Sequence, residues 1–124
     1  MQELFTLPEE VVRRQLDAYN AKDLVTFMTT WSETAQYYEH PATLLAGSAA
    51  EIRERHIARF EEPDLFGELI SRVVIGNKVI DQEKVTRNFP EGIGQIDVVA
   101  IYEVDEGKIA KAWFISGNRR MLGE

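Results

Sequence analysis

Asp81, Glu83 and Arg87 stand at i, i+2 and i+6 of an uninterrupted stretch, Lys78 to Phe89, that holds neither proline nor glycine. In a strand these positions share one face with Val79 and Val85. Counted from the turn at Gly76-Asn77, that face is expected to be the concave one. Two carboxylates on an apolar inner wall are costly unless they are paired or functional. Crowding raises one of the two pKa values and leaves a proton donor near neutrality. The opposite arrangement turns the acids to solvent or to a partner and buries Ile80, Gln82, Lys84 and Thr86. A single bulge separates the two arrangements.

Other residues could join this chemistry. His40 has an ordinary pKa of ~6.5, which suits a general acid or base. Equally, it is a strand-end histidine beside Pro41 that caps a carbonyl. Asp97, between Ile96 and Val98, is a lone charge in an apolar strand. It would orient His40, or form a salt bridge with Arg72 or Arg87. His56, between Ile52 and Phe60 on a helix, reads as a hydrogen-bonded core histidine rather than a catalyst.

Several chemistries are not supported. The chain has 2 histidines and no cysteine. It lacks His-x-His and His-x-x-x-His pairs and any EF-hand loop, so no metal is expected. A set of His40, Asp81 and Glu83 is the one conceivable exception. No P-loop or Gly-x-Gly-x-x-Gly is present, and Gly92-Ile93-Gly94 reads as a turn, so no cofactor is expected. No nucleophile elbow supports a serine hydrolase. The net charge of −7 opposes binding to nucleic acid or to anionic membranes. No run approaches the ~20 apolar residues of a membrane span, and Met1 to Phe5 has no basic start or long apolar run. A cytoplasmic protein is expected. Its 124 residues make a single domain, 1–124.

The elements that must position these residues begin with helices. Thr6-Leu7-Pro8-Glu9 has capping-box spacing and precedes Val12, Leu16 and Tyr19 at helical period. Asp23 is an N-cap for a second helix with the stripe Leu24, Phe27, Met28 and Trp31. Ala35 to His40 reads as a strand ended by Pro41, followed by a loop through Gly47. Ser48-Ala49-Ala50-Glu51 opens a third helix, closed by Pro63. Strands then run over 69–75, 78–89, 96–104 and 109–116, with turns at Gly76-Asn77, Pro90-Glu91-Gly92 and Asp105-Glu106-Gly107. Helices followed by strands give an α+β fold, three N-terminal helices on one face of a curved antiparallel sheet. Phe27, Trp31, Tyr38, Phe60 and Trp113 would line an apolar pocket suited to a flat hydrophobic ligand, or serve as plain core.

This order of elements resembles the nuclear-transport-factor-2-like superfamily, in its SnoaL-like and ketosteroid-isomerase-like branch. Three segments carry the resemblance: Leu16 to Leu24, Tyr38-Glu39-His40-Pro41 with Gly47, and Ile101 to Ile109 with its Asp-Glu-Gly-Lys-Ile turn. The resemblance covers nearly the whole chain. It implies a cystatin-like conical barrel with a deep pocket, often in a homodimer. Ketosteroid isomerases place an aspartate base before the proline, where His40 stands. They use a first-helix tyrosine in the oxyanion hole, where Gln15 stands with Tyr19 one turn on. Their second aspartate aligns with Ala100. All three positions differ, so standard steroid isomerisation is not expected.

The expectation is a pocket for a small apolar organic ligand bearing a carbonyl or hydroxyl, with isomerisation, cyclisation or dehydration by proton transfer. His40 would be the acid or base, helped by Asp81, Glu83 or Asp97, and Arg87 would contact substrate. The alternative is a non-catalytic binding or dimeric assembly protein of the same fold.

Overall fold

The computed structural model describes residues 7–123. The first helix, α1, is Pro8–Ala21, and α2 is Leu24–Thr29. The strands β1 (Trp31–Glu39) and β2 (Thr43–Ala46) precede α3 (Ala49–Arg59). Four strands follow: β3 (Phe66–Ile75), β4 (Lys78–Phe89), β5 (Gly92–Asp105) and β6 (Lys108–Met121). The sheet order is β2-β1-β6-β5-β4-β3. Every neighbouring pair is antiparallel except β1 and β6, which are parallel. The sheet curves without closing, since β2 and β3 are its two edges. The fold is thus α+β, with the helices on the concave face. There α1 meets β3, β4, β5 and β6, and α3 meets β1 and β2.

Local sequence explains most boundaries. The Asp23 carboxylate accepts from the Thr26 N–H and starts α2. Ser48 Oγ accepts from the Glu51 N–H, and Glu51 in turn accepts from the Gly47 N–H. Thr6 lies outside the described residues, and Leu7 takes the N-cap of α1 with no side-chain cap. The β5–β6 turn places Glu106 and Gly107 at φ 52° and 76°, the left-handed pair of a tight hairpin.

Two expectations change. Trp31 is not the last residue of the α2 stripe; α2 stops at Thr29 and Trp31 opens β1. The Ile109 N–H donates to the Thr30 carbonyl at 2.8 Å, which draws the chain out of the helix and onto the sheet. The stretch read as a loop before Gly47 contains β2, whose three exposed residues out of four offer no periodic signal.

The core sits between the helices and the concave face. Val11, Val12, Phe27, Ile52, Val79, Ala100, Ile109 and Ala112 are buried there. Asn20 pins α1 to the edge strand: its side-chain amide donates to the Gly67 carbonyl at 2.9 Å and its oxygen accepts from the Gly67 N–H at 2.7 Å. Asn20→Ala removes both bonds at a half-buried place. It is expected to lower unfolding stability by about 1–3 kcal/mol, read as a lower urea midpoint with an unchanged slope.

Candidate active site: a cavity holding a buried glutamate

The β4 face is settled by its pairing. Partners run without a break from Lys78↔Glu103 to Phe89↔Gly92. The bulge expected as a risk lies on β3 instead, between Leu69 and Ser71. Val79, Asp81, Glu83 and Val85 therefore all point inward and are buried.

A cavity of about 380 Å³ opens between α1, α3 and the concave sheet. Its apolar wall includes Leu16, Val85, Ile96, Val98 and Phe114. Polar groups reach it from several elements: Gln15 and Tyr19 on α1, Arg55, His56 and Arg59 on α3, Glu83 and Arg87 on β4, and Tyr102 on β5.

Glu83 is 7% exposed. Burial, with the Asp81 charge adding to it and Arg72 opposing, pushes its carboxyl up to about 7. It makes no ion pair among the described residues, whereas its neighbour Asp81 does. Asp81 is fully buried and accepts two hydrogen bonds from Arg72, at 2.7 and 2.9 Å. The arginine neutralises one carboxylate and leaves the other to be kept near neutrality by protonation. Gly67 makes room for it: a Cβ at that position would lie 3.2 Å from both Glu83 Oε1 and Leu16 Cδ1.

His56 has the opposite character. Its Nδ1 lies 2.7 Å from the Ile52 carbonyl. A carbonyl only accepts, so the proton is on Nδ1 and Nε2 carries a lone pair. Burial, together with the charges of Arg59, Arg55 and Arg87, pushes the ring down to about 4 despite the Ile52 bond. His56 is thus a neutral acceptor at pH 7. Burial also raises the Tyr19 and Tyr102 hydroxyls, which stay protonated. Gln15 Oε1 is buried without a hydrogen-bond partner among the described residues.

Of the residues singled out from the sequence, Gln15, Tyr19, Glu83 and Arg87 line this cavity. Asp81 stands behind Glu83, tied to Arg72. Two others are corrections. His40 is exposed beyond the end of β1, with its backbone N–H on the Phe114 carbonyl, and is not in the lining. Asp97 points outward on β5 and pairs with Arg120 at 2.9 Å, which holds its carboxyl below the usual range. Phe27 and Trp31 are core, and Phe60 packs against them. Tyr38 and Trp113 are on the convex face, stacked with ring centroids 5.8 Å apart. Strand alternation places their neighbours Tyr37 and Phe114 inside, 4.5 Å apart, so the aromatic lining is displaced by one residue on each strand.

Sequence reasoning missed Arg55, Arg59 and Tyr102. The i, i+4 spacing of Arg55 and Arg59 was the available signal. Among the described residues no group of His, Asp or Glu is arranged to hold a metal ion, and no helix is long and apolar enough to cross a membrane.

Residues 12–112 match the family model of the SnoaL-like domain. The chain belongs to that family. No match is found among curated proteins. Solved structures of similar fold include an uncharacterized cystatin-fold protein from Novosphingobium aromaticivorans, 24% identical with a TM-score of 0.81, over 88% of this chain and 97% of that one. A proposed polyketide cyclase from Sinorhizobium meliloti is 19% identical with a TM-score of 0.73, over 85% and 93% of the two chains. An LEH-like epoxide hydrolase from M. tuberculosis is 14% identical with a TM-score of 0.79, over 89% and 82%. At these identities the likeness is one of fold, and the SnoaL-like fold hosts more than one chemistry.

The two perturbed groups give opposite stability slopes. Glu83 binds its proton more tightly folded than unfolded, so its contribution falls as pH rises from about 4.5 to about 7. His56 binds its proton less tightly when folded, so its contribution rises with pH from about 4 to about 6.5. Glu83→Gln removes only the first slope. Its stability relative to the natural chain is expected to increase by about 3 kcal/mol between pH 4.5 and 8, measured by urea unfolding across that range. A pH-independent difference would contradict the buried-acid assignment.

Proposed function

We propose that this SnoaL-like chain is a small-molecule enzyme that works by proton transfer on an apolar carbonyl or hydroxyl compound, with Glu83 as its acid–base group. The observation that carries the reading is a carboxyl with a pKa of about 7 on the wall of a cavity between the helices and the concave sheet. Such a group gives and takes a proton at neutral pH. Behind it, the Asp81 carboxylate, held by Arg72, acts through its charge to favour the protonated form. The remaining polar groups suit a substrate oxygen: the Tyr19 and Tyr102 hydroxyls donate to a carbonyl, and Gln15 Oε1 accepts from a hydroxyl. Removal of a proton beside a carbonyl by Glu83, with return of that proton to another carbon, gives isomerisation; its delivery to a β-hydroxyl, whose C–O bond breaks to release water, gives dehydration. Attack of the resulting enolate on a second carbonyl gives cyclisation.

The test is exchange of α-protons in D₂O, followed by NMR on cyclic ketone probes such as β-tetralone. The natural chain is expected to accelerate exchange with an apparent pKa of about 7. Glu83→Gln is expected to reduce the rate by about 10²–10⁴-fold. Acceleration that is unaffected by Glu83→Gln sinks the assignment. Saturable probe binding without exchange in either chain selects the non-catalytic binding protein.

We propose in addition that the protein is cytoplasmic and forms a homodimer joined through the convex face. The pairing lines up Val73, Ile80, Ile101, Trp113, Tyr38 and Leu44 in one apolar row across all six strands. Val99 and Ile115 widen it on the neighbouring row. A monomer seldom leaves so continuous an apolar band to water. Sedimentation is expected to give a dimer for the natural chain and a monomer for Trp113→Glu; a monomeric natural chain contradicts the assembly.

A further inference from the structure

Arg55, Arg59 and Arg87 converge on one end of the cavity. The first two are one helical turn apart on α3, and the third comes from β4 across the gap. The same three residues line an adjoining open recess with Ala58 and Glu62. Their own contacts leave charge unspent. Arg87 is matched by Glu62, bonded through Nε at 2.9 Å and a terminal nitrogen at 2.7 Å. Arg55 lies over the Tyr37 ring at 5.2 Å, and Arg59 meets the Tyr19 hydroxyl. Neither makes an ion pair among the described residues. Glu39, exposed, is the remaining acid in the lining besides Glu83. On a chain of net charge −7 this is a local reversal of sign. It is also graded in depth: Arg55 is exposed and Arg59 half-buried, while Glu83 is 7% exposed at the inner wall.

We infer that the mouth of the cavity is a carboxylate-binding subsite formed by Arg55 and Arg59, so that the ligand is an apolar organic acid whose anionic end stays at the mouth while its body reaches toward Glu83. This rests on the small-molecule reading of the cavity and names the class of molecule it takes. A guanidinium presents several N–H donors in a plane and binds carboxylates more strongly than it binds neutral oxygens. Two of them one turn apart accept a carboxylate from either side. Arg87 is engaged by Glu62, so the subsite's donors come from Arg55 and Arg59. A carboxylate drawn to Glu83 itself would meet a second carboxyl group and the Asp81 charge, which orients the acid with its anion outward.

The test is calorimetric titration with a series of acids, butanoate through 4-phenylbutanoate, each against its primary amide. The carboxylate is expected to bind about tenfold or more tightly than the amide, with affinity rising with the length of the apolar body. Arg55→Gln, at an exposed position, is expected to weaken carboxylate binding and leave amide binding unchanged. The double change Arg55→Gln with Arg59→Gln is expected to bring acid and amide to within about threefold, in a chain whose circular dichroism is unchanged. Glu83→Gln is expected to keep the preference for the acid while losing proton exchange, so failure of the catalytic reading and failure of this subsite give different results. Equal binding of acid and amide, a preference that survives in Arg55→Gln and in the double variant, or no saturable binding of any acid in the series would overturn it.

Discussion

The site depends on the unbroken ladder between β4 and β5. Side chains alternate along a strand, so one inserted residue would send Asp81 and Glu83 to the convex face and bring Gln82 and Lys84 inside. The partners match one to one from Lys78 to Phe89. The register shifts of the sheet fall elsewhere: on β3–β4 between Leu69 and Ser71, on β5–β6 between Ile96 and Val98 and between Glu103 and Val104, and on β1 against β2 and β6. The sheet therefore bends around the helices while the strand that carries both acids keeps its parity.

Holding two carboxylates inside is costly, and the structure meets that cost in two different ways. Asp81 receives a full charge partner in Arg72, which reaches across from β3. Glu83 receives none and shifts toward the neutral form instead. The difference comes from position on the sheet. Arg72 is the direct partner of Asp81 across the β3–β4 ladder, whereas Leu69 stands opposite Glu83. Asp81 also faces Ala100, a small buried residue, on β5.

Polarity around the cavity is distributed by element. Strand β4 brings Glu83 and Arg87, α3 brings Arg55, Arg59 and the neutral histidine, α1 and β5 bring tyrosine hydroxyls, and β1 brings the exposed Glu39. Burial, and then the charges of Arg59, Arg55 and Arg87, hold His56 unprotonated, because a fourth positive charge in that place would be desolvated and repelled. The result is a cavity with positive charge at its mouth and a protonatable carboxyl at its inner wall. The convex face differs: one apolar row crosses all six strands, and charged side chains such as the Asp97–Arg120 pair stand outside that row.

Elements with a local cause were legible in the chain itself. The caps at Asp23 and Ser48, the period of α1, the glycine turns between strands and the alternation of residues 79–87 depend on nearest neighbours and short spacings, which one sequence displays. That Asp81 and Glu83 share a face was legible for the same reason; that the face points inward was decided by the unbroken β4–β5 ladder. Other features depended on contacts between distant segments. Trp31 belongs to a strand because Ile109, far along the chain, bonds to Thr30. His40 has the chemistry of a base but ends beyond the rim, and Asp97 sits where Arg120 neutralises it at the surface. Which aromatic of each adjacent pair faces in, Tyr37 or Tyr38 and Phe114 or Trp113, follows from how β1 pairs with β6. The sequence by itself determined the fold class and the grouping of Asp81 and Glu83 on one strand face, because helical and strand periods are local. Only the tertiary structure decided that Glu83 stands unpaired beside a cavity with arginines at its mouth, because charge partners, burial and pocket walls come from segments that meet only on folding.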